Sequence, residues 1–203
     1  MVPADRRVDG VVEMALEAAQ NYDKPLTKER LFQWHTLLFP RVGRSAQKIA
    51  AGVWRDDAKG PMQVVSGGIG RERVHYQAPA AELLPAEMDA FLKWVNKNGD
   101  EDPVLKVAIA HLWFVTIHPF EDGNGRIART IADWALARAE ASPRRFYSMS
   151  AQIRKERDKY YSILEQTQKG GLDITEWMLW FLGCLDRAIE DAENSLAAVF
   201  RKD

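Results

Sequence analysis

Residues 118–129 read HPFEDGNGRIAR and place an imidazole, two carboxylates, an amide and two guanidinium groups in one short segment. Pro119 fixes its own φ and disfavours helical geometry at the residue before it, so we expect a helix to end at His118. The chain should turn there and begin a second helix near Asp122. An imidazole at the end of one helix would then face the start of the next.

Three charged side chains of the second helix are predicted to share one face. Asp122, Arg126 and Arg129 are spaced i, i+4 and i+7, which brings a carboxylate and two guanidinium groups together. Gly123 and Gly125 permit a ligand to approach the backbone closely, and the free N–H groups of a first helical turn bind anions. The sequence therefore predicts a phosphate site beside a base.

The same glycines imitate another kind of nucleotide site. Residues 123–128 match the G-x-G-x-x-G/A pattern of dinucleotide-binding folds. That pattern requires a strand before it and alternating strands and helices after it. Helical periodicity precedes residue 118 instead, so we exclude a dinucleotide fold.

Helical periodicity dominates the rest of the chain and predicts an all-α fold. Residues 104–117 are apolar nearly all round, which indicates a central buried helix. Two short extended runs separated by a glycine-rich tip predict one β-hairpin within residues 61–77. The predicted helices are 11–19, 31–38, 83–95, 105–117, 127–137, 153–164 and 174–197.

The composition fits a single domain that includes residues 1–203, because 46% hydrophobic residues can form one sizeable core. The formal net charge of -1 gives no general attraction to nucleic acid or to anionic membranes. Cys184 is the lone cysteine and is predicted to be a buried thiol in a reducing compartment. The sequence has no signal-peptide core and no apolar stretch of membrane-spanning length, so we expect a cytoplasmic protein.

Residues 118–129 resemble the signature of Fic-domain proteins, H-P-F-x-[DE]-G-N-G-R-x-x-R, at every defined position. The hairpin before the motif and the Tyr160-Tyr161 segment after it are also similar to elements that frame the nucleotide in that family. The resemblance covers about residues 26–182. It implies a Fic-type helical bundle with a central buried helix, a hairpin flap at about residues 61–77, and helical flanks at both ends.

The resemblance implies an adenylyltransferase that transfers AMP from ATP to a Tyr, Thr or Ser hydroxyl of a target protein and releases pyrophosphate. His118 would be the catalytic base, and Asp122 would hold Mg²⁺. The Asn124 amide would orient the α-phosphate, and Arg129 would contact the γ-phosphate. Gln168 stands where several relatives carry an Asn near the adenine. The full set of nucleotide-binding residues implied by the resemblance is Gly123, Asn124, Gly125, Arg126, Arg129, Tyr160 and Tyr161.

The hairpin flap is expected to bind the target protein. By analogy with the family, the strand edge would pair with an extended segment of the target and align its hydroxyl with the phosphorus. Phe120 is predicted to anchor the motif loop, residues 118–123, in the core. His111 precedes His118 by two helical turns, and we interpret it as a core histidine rather than a metal ligand. The flap residues are Met62, Gln63, Val64, Val65 and Ser66.

Many Fic proteins are restrained by a helix with the pattern [ST]-x-x-x-E-[GN], whose glutamate pairs with the second motif arginine, here Arg129. The chain lacks this pattern. The restraint could therefore lie in a segment outside this chain, belong to a separate protein such as an antitoxin, or not exist. We expect a trimmed amino-terminal part, and a homo-oligomer is also open.

Two other functions remain open at this point. The chain could be a Fic protein that transfers a different phosphate-containing group or removes AMP. It could also be a non-catalytic regulatory domain or the binding half of a toxin–antitoxin pair. The complete motif favours the enzyme, because a binding domain has no chemical need for His118.

Overall fold

The computed structural model describes residues 3–40, 49–68 and 70–200, with side chains from residue 9 onward. Within these ranges the protein is a helical bundle with one small hairpin, which confirms the predicted fold. The helices are α1 Pro3–Gln20, α2 Lys28–Leu38, α3 Leu84–Asn96, α4 Pro103–Ile117, α5 Asn124–Ala139, α6 Met149–Lys155, α7 Arg157–Lys169 and α8 Thr175–Phe200. The strands are β1 Gln63–Ser66 and β2 Arg73–Gln77.

The centre of the bundle is α4. Asp102 caps its N-terminus, where the carboxylate accepts hydrogen bonds from the N–H groups of Val104 and Leu105. Helices α3, α5 and α8 pack around α4, and the indole N–H of Trp177 on α8 donates to the Ala108 carbonyl over 2.9 Å. The prediction of a central buried helix is confirmed. No described helix is both long and apolar enough to cross a bilayer.

The helix after the motif begins later than predicted. It starts at Asn124, and Asp122 lies outside it, so the prediction that Asp122 belongs to a helical face is wrong. Gly123 occupies the N-cap with φ of 86°, a left-handed conformation that suits glycine and delays the first helical turn. Asp122 still reaches Arg126, with Oδ2 of the carboxylate 3.4 Å from Nη2.

The predicted helix 153–164 is two helices, α6 and α7, which meet at Glu156. The backbone of Glu156 departs from helical geometry, with φ of -100° and ψ of 26°. Its carboxylate accepts hydrogen bonds from Trp180 and Arg187 on α8. The apolar periodicity continues across the break because both helices bury side chains in the same core, Ile153 from α6 and Leu164 from α7. Periodicity alone could not reveal the break.

The hairpin packs beside the carboxyl end of α4. Its strands are antiparallel, with Gln63 opposite Gln77 and a bulge between Val64 and Val65. The hydroxyl of Tyr76 on β2 donates to the Thr116 carbonyl over 2.8 Å, which fixes the hairpin to the last turn of α4. The hairpin therefore forms a wall next to the motif loop.

Candidate active site

His118 directly follows α4 and has a left-handed backbone, with φ of 53° and ψ of 56°. This conformation is uncommon for a residue with a side chain and must be held by its surroundings. Nδ1 lies 3.2 Å from the Val115 carbonyl, which can only accept, so Nδ1 carries the ring proton. Nε2 is left with a lone pair, as a general base requires.

The surroundings keep His118 neutral. Burial lowers the pKa of the imidazole, and the positive charge of Arg55 acts in the same direction. The Val115 carbonyl and the Asp122 carboxylate oppose this change, but burial is the largest influence and the pKa lies below that of an ordinary histidine. A neutral ring near pH 7 can accept a proton from a hydroxyl group.

Arg55 supports the motif loop from a distant part of the chain. Its Nε donates to the His118 carbonyl over 2.8 Å, and its backbone N–H donates to the Pro119 carbonyl over 2.9 Å. The guanidinium also binds the Asp57 carboxylate at 2.8 Å and the Pro79 carbonyl at 2.5 Å. The side chain is only 1% exposed, so all of these bonds form away from solvent. This role of Arg55 was not predicted from the sequence, because no local pattern marks it as the partner of a carbonyl 63 residues away.

His35 holds the other end of the loop. Nδ1 accepts a hydrogen bond from the Gly52 N–H over 2.9 Å, so the proton is on Nε2, which donates to the Asp122 carbonyl over 3.1 Å. The ring also stacks on Phe120, with centroids 4.1 Å apart and planes 7° from parallel. Phe120 is fully buried, which confirms its predicted role as an anchor. No pattern in the sequence indicated this role of His35.

Asn124 holds the motif loop through its side chain, and its predicted role at the α-phosphate stays a prediction. Its Oδ1 accepts from the Phe120 N–H over 2.9 Å, and its Nδ2 donates to the Phe120 carbonyl over 2.8 Å. The side chain is buried, and these two hydrogen bonds hold it against the loop. Asn124 therefore closes the turn between His118 and α5.

The N-terminus of α5 offers free backbone donors. The Gly123 N–H donates to its neighbour Asp122, and the N–H groups of Arg126 and Ile127 both donate to the Gly123 carbonyl. The N–H groups between them, those of residues 124 and 125, have no acceptor among the described residues. Because a helix N-terminus also carries a partial positive charge, these groups suit a phosphate.

Two arginines extend this anion site along α5. The Arg126 guanidinium lies over the Phe39 ring, 5.0 Å from its centroid, and its one ion pair with a described residue is the long contact to Asp122. Arg129 makes no hydrogen bond or ion pair with any residue that the structure describes. Its Nη1 lies 3.8 Å from the position that a Cβ on Gly125 would take, so Arg129 stands beside the helix N-terminus. Both cations are available to neutralise phosphate oxygens.

Asp122 fits the requirements of a Mg²⁺ ligand. Its Oδ1 accepts from the Gly123 N–H over 2.6 Å, which fixes the carboxylate, and the side chain is 57% exposed. The described residues contain no group of three His, Cys, Asp or Glu side chains that could hold a metal alone. A Mg²⁺ ion at Asp122 would therefore take its other ligands from phosphate oxygens and water, as this ion commonly does.

One cavity of about 780 Å³ connects these groups, a size that suits a nucleotide. It runs from the motif loop to α7 and is walled on one side by β1. The structure thus brings all the predicted site residues to one place, although their roles remain predictions. The predicted residues that line the cavity are Met62, Gln63, Val64, Val65, Ser66, His118, Asp122, Gly123, Asn124, Gly125, Arg126, Arg129, Tyr160 and Tyr161.

The two tyrosines of α7 differ in their surroundings. Tyr160 is buried, and its hydroxyl lies 3.1 Å from Nε2 of His111. Tyr161 is half-exposed, and the Arg157 guanidinium lies 5.6 Å from its ring centroid. Gln168, near the end of α7, donates from its side-chain amide to the Thr116 hydroxyl. Tyr161 therefore presents the more open aromatic surface on which a nucleobase in the cavity could stack.

His111 is a core histidine, as the sequence predicted. Burial lowers its pKa to about 3, so the ring is neutral. It packs against Trp177 and Phe181 on α8 in addition to its contact with Tyr160. An imidazole in this setting is a packing group.

Comparisons with known proteins agree with the motif. A sequence profile described as the Fic/DOC family matches residues 25–136, more than half of the chain. A Nematostella vectensis protein named "Protein adenylyltransferase Fic" is 36% identical over 115 residues, which cover 55% of this chain and 25% of that protein. The protein of the same name from Drosophila melanogaster is 31% identical over 114 residues and is matched over 22% of its length. The match thus spans about a quarter of these curated relatives.

Solved structures share the fold over nearly the whole chain. A Fic domain containing signaling protein from Bacteroides thetaiotaomicron superposes with a TM-score of 0.68 at 23% identity, covering 93% of this chain and 68% of that one. A Fic family protein from Desulfovibrio desulfuricans gives 0.67 at 24% identity, covering 96% and 55%. At these identities the likeness concerns the fold.

Proposed function

The chain belongs to the Fic/DOC family, and on this premise we propose that it is a Mg²⁺-dependent protein adenylyltransferase. The reaction would transfer AMP from ATP to a Tyr, Thr or Ser hydroxyl of a target protein and release pyrophosphate. The observation that carries the proposal is the neutral, oriented His118, which shares a cavity with a helix N-terminus and two arginines. The names of the two relatives support the same reaction.

His118 acts as the base in this proposal. Nε2 accepts the proton of the acceptor hydroxyl, and the oxygen forms a bond to the α-phosphorus. The bond between that phosphorus and the oxygen bridging to the β-phosphate breaks, and its electron pair leaves with pyrophosphate. The Val115 carbonyl keeps the ring in the tautomer that this step needs.

The N-terminus of α5 binds the phosphates. The N–H groups of Asn124 and Gly125 donate to phosphate oxygens, and Arg126 and Arg129 neutralise the charge that the leaving pyrophosphate gains. Arg129 takes the γ-phosphate. Asp122 would hold Mg²⁺, and the ion would neutralise negative charge on the phosphates.

The adenine and the target protein occupy opposite ends of the cavity. We assign the adenine to the wall formed by Tyr160, Tyr161 and Gln168 on α7. The target segment pairs with β1, because β2 occupies only one edge of that strand. A reducing compartment such as the cytoplasm suits the buried Cys184, whose pKa burial raises to about 12. A separate inhibitory protein or segment would act by placing a carboxylate on Arg129.

The test uses α-phosphate-labelled ATP with Mg²⁺ and lysate proteins of the host. We expect label on the lysate proteins with the wild-type chain and none on them with His118→Ala, while both forms of the chain bind ATP with similar affinity. Arg138→Ala is the matched control, because Arg138 lies at the far end of α5 and contacts Asn98. Label that arises only from γ-labelled ATP would show phosphorylation instead. Equal labelling by His118→Ala would overturn the proposal.

A further inference from the structure

Three side chains outside the motif form a chain of hydrogen bonds on the cavity wall. Oγ of Ser66 on β1 lies 2.5 Å from Nε2 of His75 on β2, and Nδ1 of His75 lies 2.6 Å from Oε2 of Glu165 on α7. All three line the same cavity as His118. We propose that Ser66 is an activated nucleophile with His75 as its base, and that it is a site of self-modification by AMP.

The order of partners fixes the direction of the hydrogen bonds. The Glu165 carboxylate can only accept, so the tautomer of His75 that acts as a base carries its proton on Nδ1. Nε2 then holds a lone pair and accepts from the Ser66 hydroxyl. A hydroxyl, a base within hydrogen-bond reach, and a third group that orients the base are the arrangement that activates serine nucleophiles.

Glu165 is well suited to orient His75. It also pairs with Arg73 on β2 at 2.8 Å and with Lys169 on α7 at 2.7 Å. These hydrogen bonds, with that of His75, lower the pKa of Glu165 to about 2, so the carboxylate remains charged throughout the physiological range. Because the contacts of Glu165 with Arg73 and His75 join α7 to β2, they also hold the base in place relative to the cavity.

The position of Ser66 supports its use as an acceptor. It is the last residue of β1, the strand that we propose aligns the target hydroxyl, and its side chain is exposed. Gly67 follows with φ of 106°, and a Cβ there would lie 2.4 Å from the Arg71 carbonyl oxygen. The turn that presents Ser66 therefore depends on a glycine at that position.

The modification rests on the proposed function for its AMP donor, ATP. Oγ of Ser66 forms a bond to the α-phosphorus, and the bond from that phosphorus to the bridging oxygen breaks. The hydroxyl proton passes to Nε2 of His75, and pyrophosphate leaves with the electron pair. The resulting phosphodiester would occupy the edge of β1, so self-modification would also slow transfer to a target protein.

The experiment incubates the purified chain with Mg²⁺ and ATP and maps the modified peptide by mass spectrometry. We expect AMP on Ser66 in the wild-type chain and in Ser195→Ala, a control serine whose hydroxyl donates only to the Asp191 carbonyl. His75→Gln should slow modification of Ser66 by about a hundredfold or more, the usual contribution of a general base. Glu165→Gln should slow it by a smaller factor. Modification of Ser66 at the wild-type rate in His75→Gln would overturn the proposal, as would AMP on other hydroxyls only.

A second probe separates this proposal from the proposed function. A fluorophosphonate forms a phosphorus–oxygen bond with an activated serine and releases fluoride, and it needs no ATP site. Labelling of Ser66 that is lost in His75→Gln would support the activated serine even if no protein receives AMP, in which case the proposed function fails alone. Absence of fluorophosphonate on Ser66 would overturn the activation while leaving transfer to other proteins unaffected.

Discussion

Nε of Arg55 donates to the main-chain carbonyl of His118 over 2.8 Å. The charge of the same guanidinium lowers the pKa of the His118 ring, and only burial lowers it more. One buried cation thus holds the backbone of the proposed base and favours its neutral form. These two effects are separable by substitution, because the first depends on the forked shape of the guanidinium and the second on its charge.

Arg55→Met should remove both effects. Loss of the charge raises the pKa of His118, so the acid limb of the pH–rate profile for AMP transfer should move to higher pH, and the rate near pH 6 should fall more than the rate near pH 8. Arg55→Lys retains the charge but not the fork, so it should lower kcat with little movement of the acid limb. Identical pH profiles for wild type and Arg55→Met would contradict this prediction. Thermal unfolding of each variant serves as the control for folding.

The two glycines of the motif should respond differently to alanine. At Gly125 a Cβ meets only Arg129, at 3.8 Å, so Gly125→Ala should keep or raise the stability of α5, by up to about 1 kcal/mol. It should nevertheless weaken ATP binding, because the methyl group crowds the free N–H groups. Gly123→Ala should destabilise the protein by about 1–3 kcal/mol, because φ is positive there and the Cβ would lie 3.0 Å from Phe39. Calorimetry and denaturant unfolding measure both effects, and equal ATP affinity in Gly125→Ala would argue against the anion site.

Asn124→Ala should lower stability as well as activity. Its amide satisfies both the N–H and the carbonyl of Phe120, and leaving such buried groups unpaired costs about 1–3 kcal/mol each. Urea unfolding should show this loss in the protein without ATP. If Asn124→Ala had normal stability but bound ATP more weakly, the Asn124 side chain would contact the nucleotide instead of holding the loop.

Arg129→Ala should weaken ATP more than ADP if Arg129 binds the γ-phosphate. A charged hydrogen bond of this kind contributes about 1.5–3 kcal/mol, which corresponds to roughly a ten- to hundredfold change in Kd. Arg138→Ala, on the same helix, should change neither affinity. Equal losses for ATP and ADP would place Arg129 at another phosphate.

Local patterns in the sequence predicted most of the helices and the hairpin, and the resemblance to the Fic signature implied the residues that line the cavity. The apolar run 104–117 needs only its own periodicity to indicate burial. Arg55 and His35 were missed because they bind main-chain carbonyls of the loop. Every residue has such a carbonyl, so residue types do not indicate which one is bound. The resemblance implied a ligand role for Asn124, but the hydrogen bonds of its amide to the main chain of Phe120 depend on the geometry of the turn, which the sequence does not show. The break at Glu156 escaped notice because two helices share one buried face.

The groups that hold the motif loop all bind its main chain. Arg55 binds the carbonyls of residues 118 and 119, His35 binds that of residue 122, and Asn124 binds both backbone groups of residue 120. Substitutions at His118 or Asp122 leave every one of these bonds available. The conformation of the loop therefore does not depend on its reactive side chains. Evolution or design can change the chemistry of the site by replacing these side chains while the backbone of the loop stays the same.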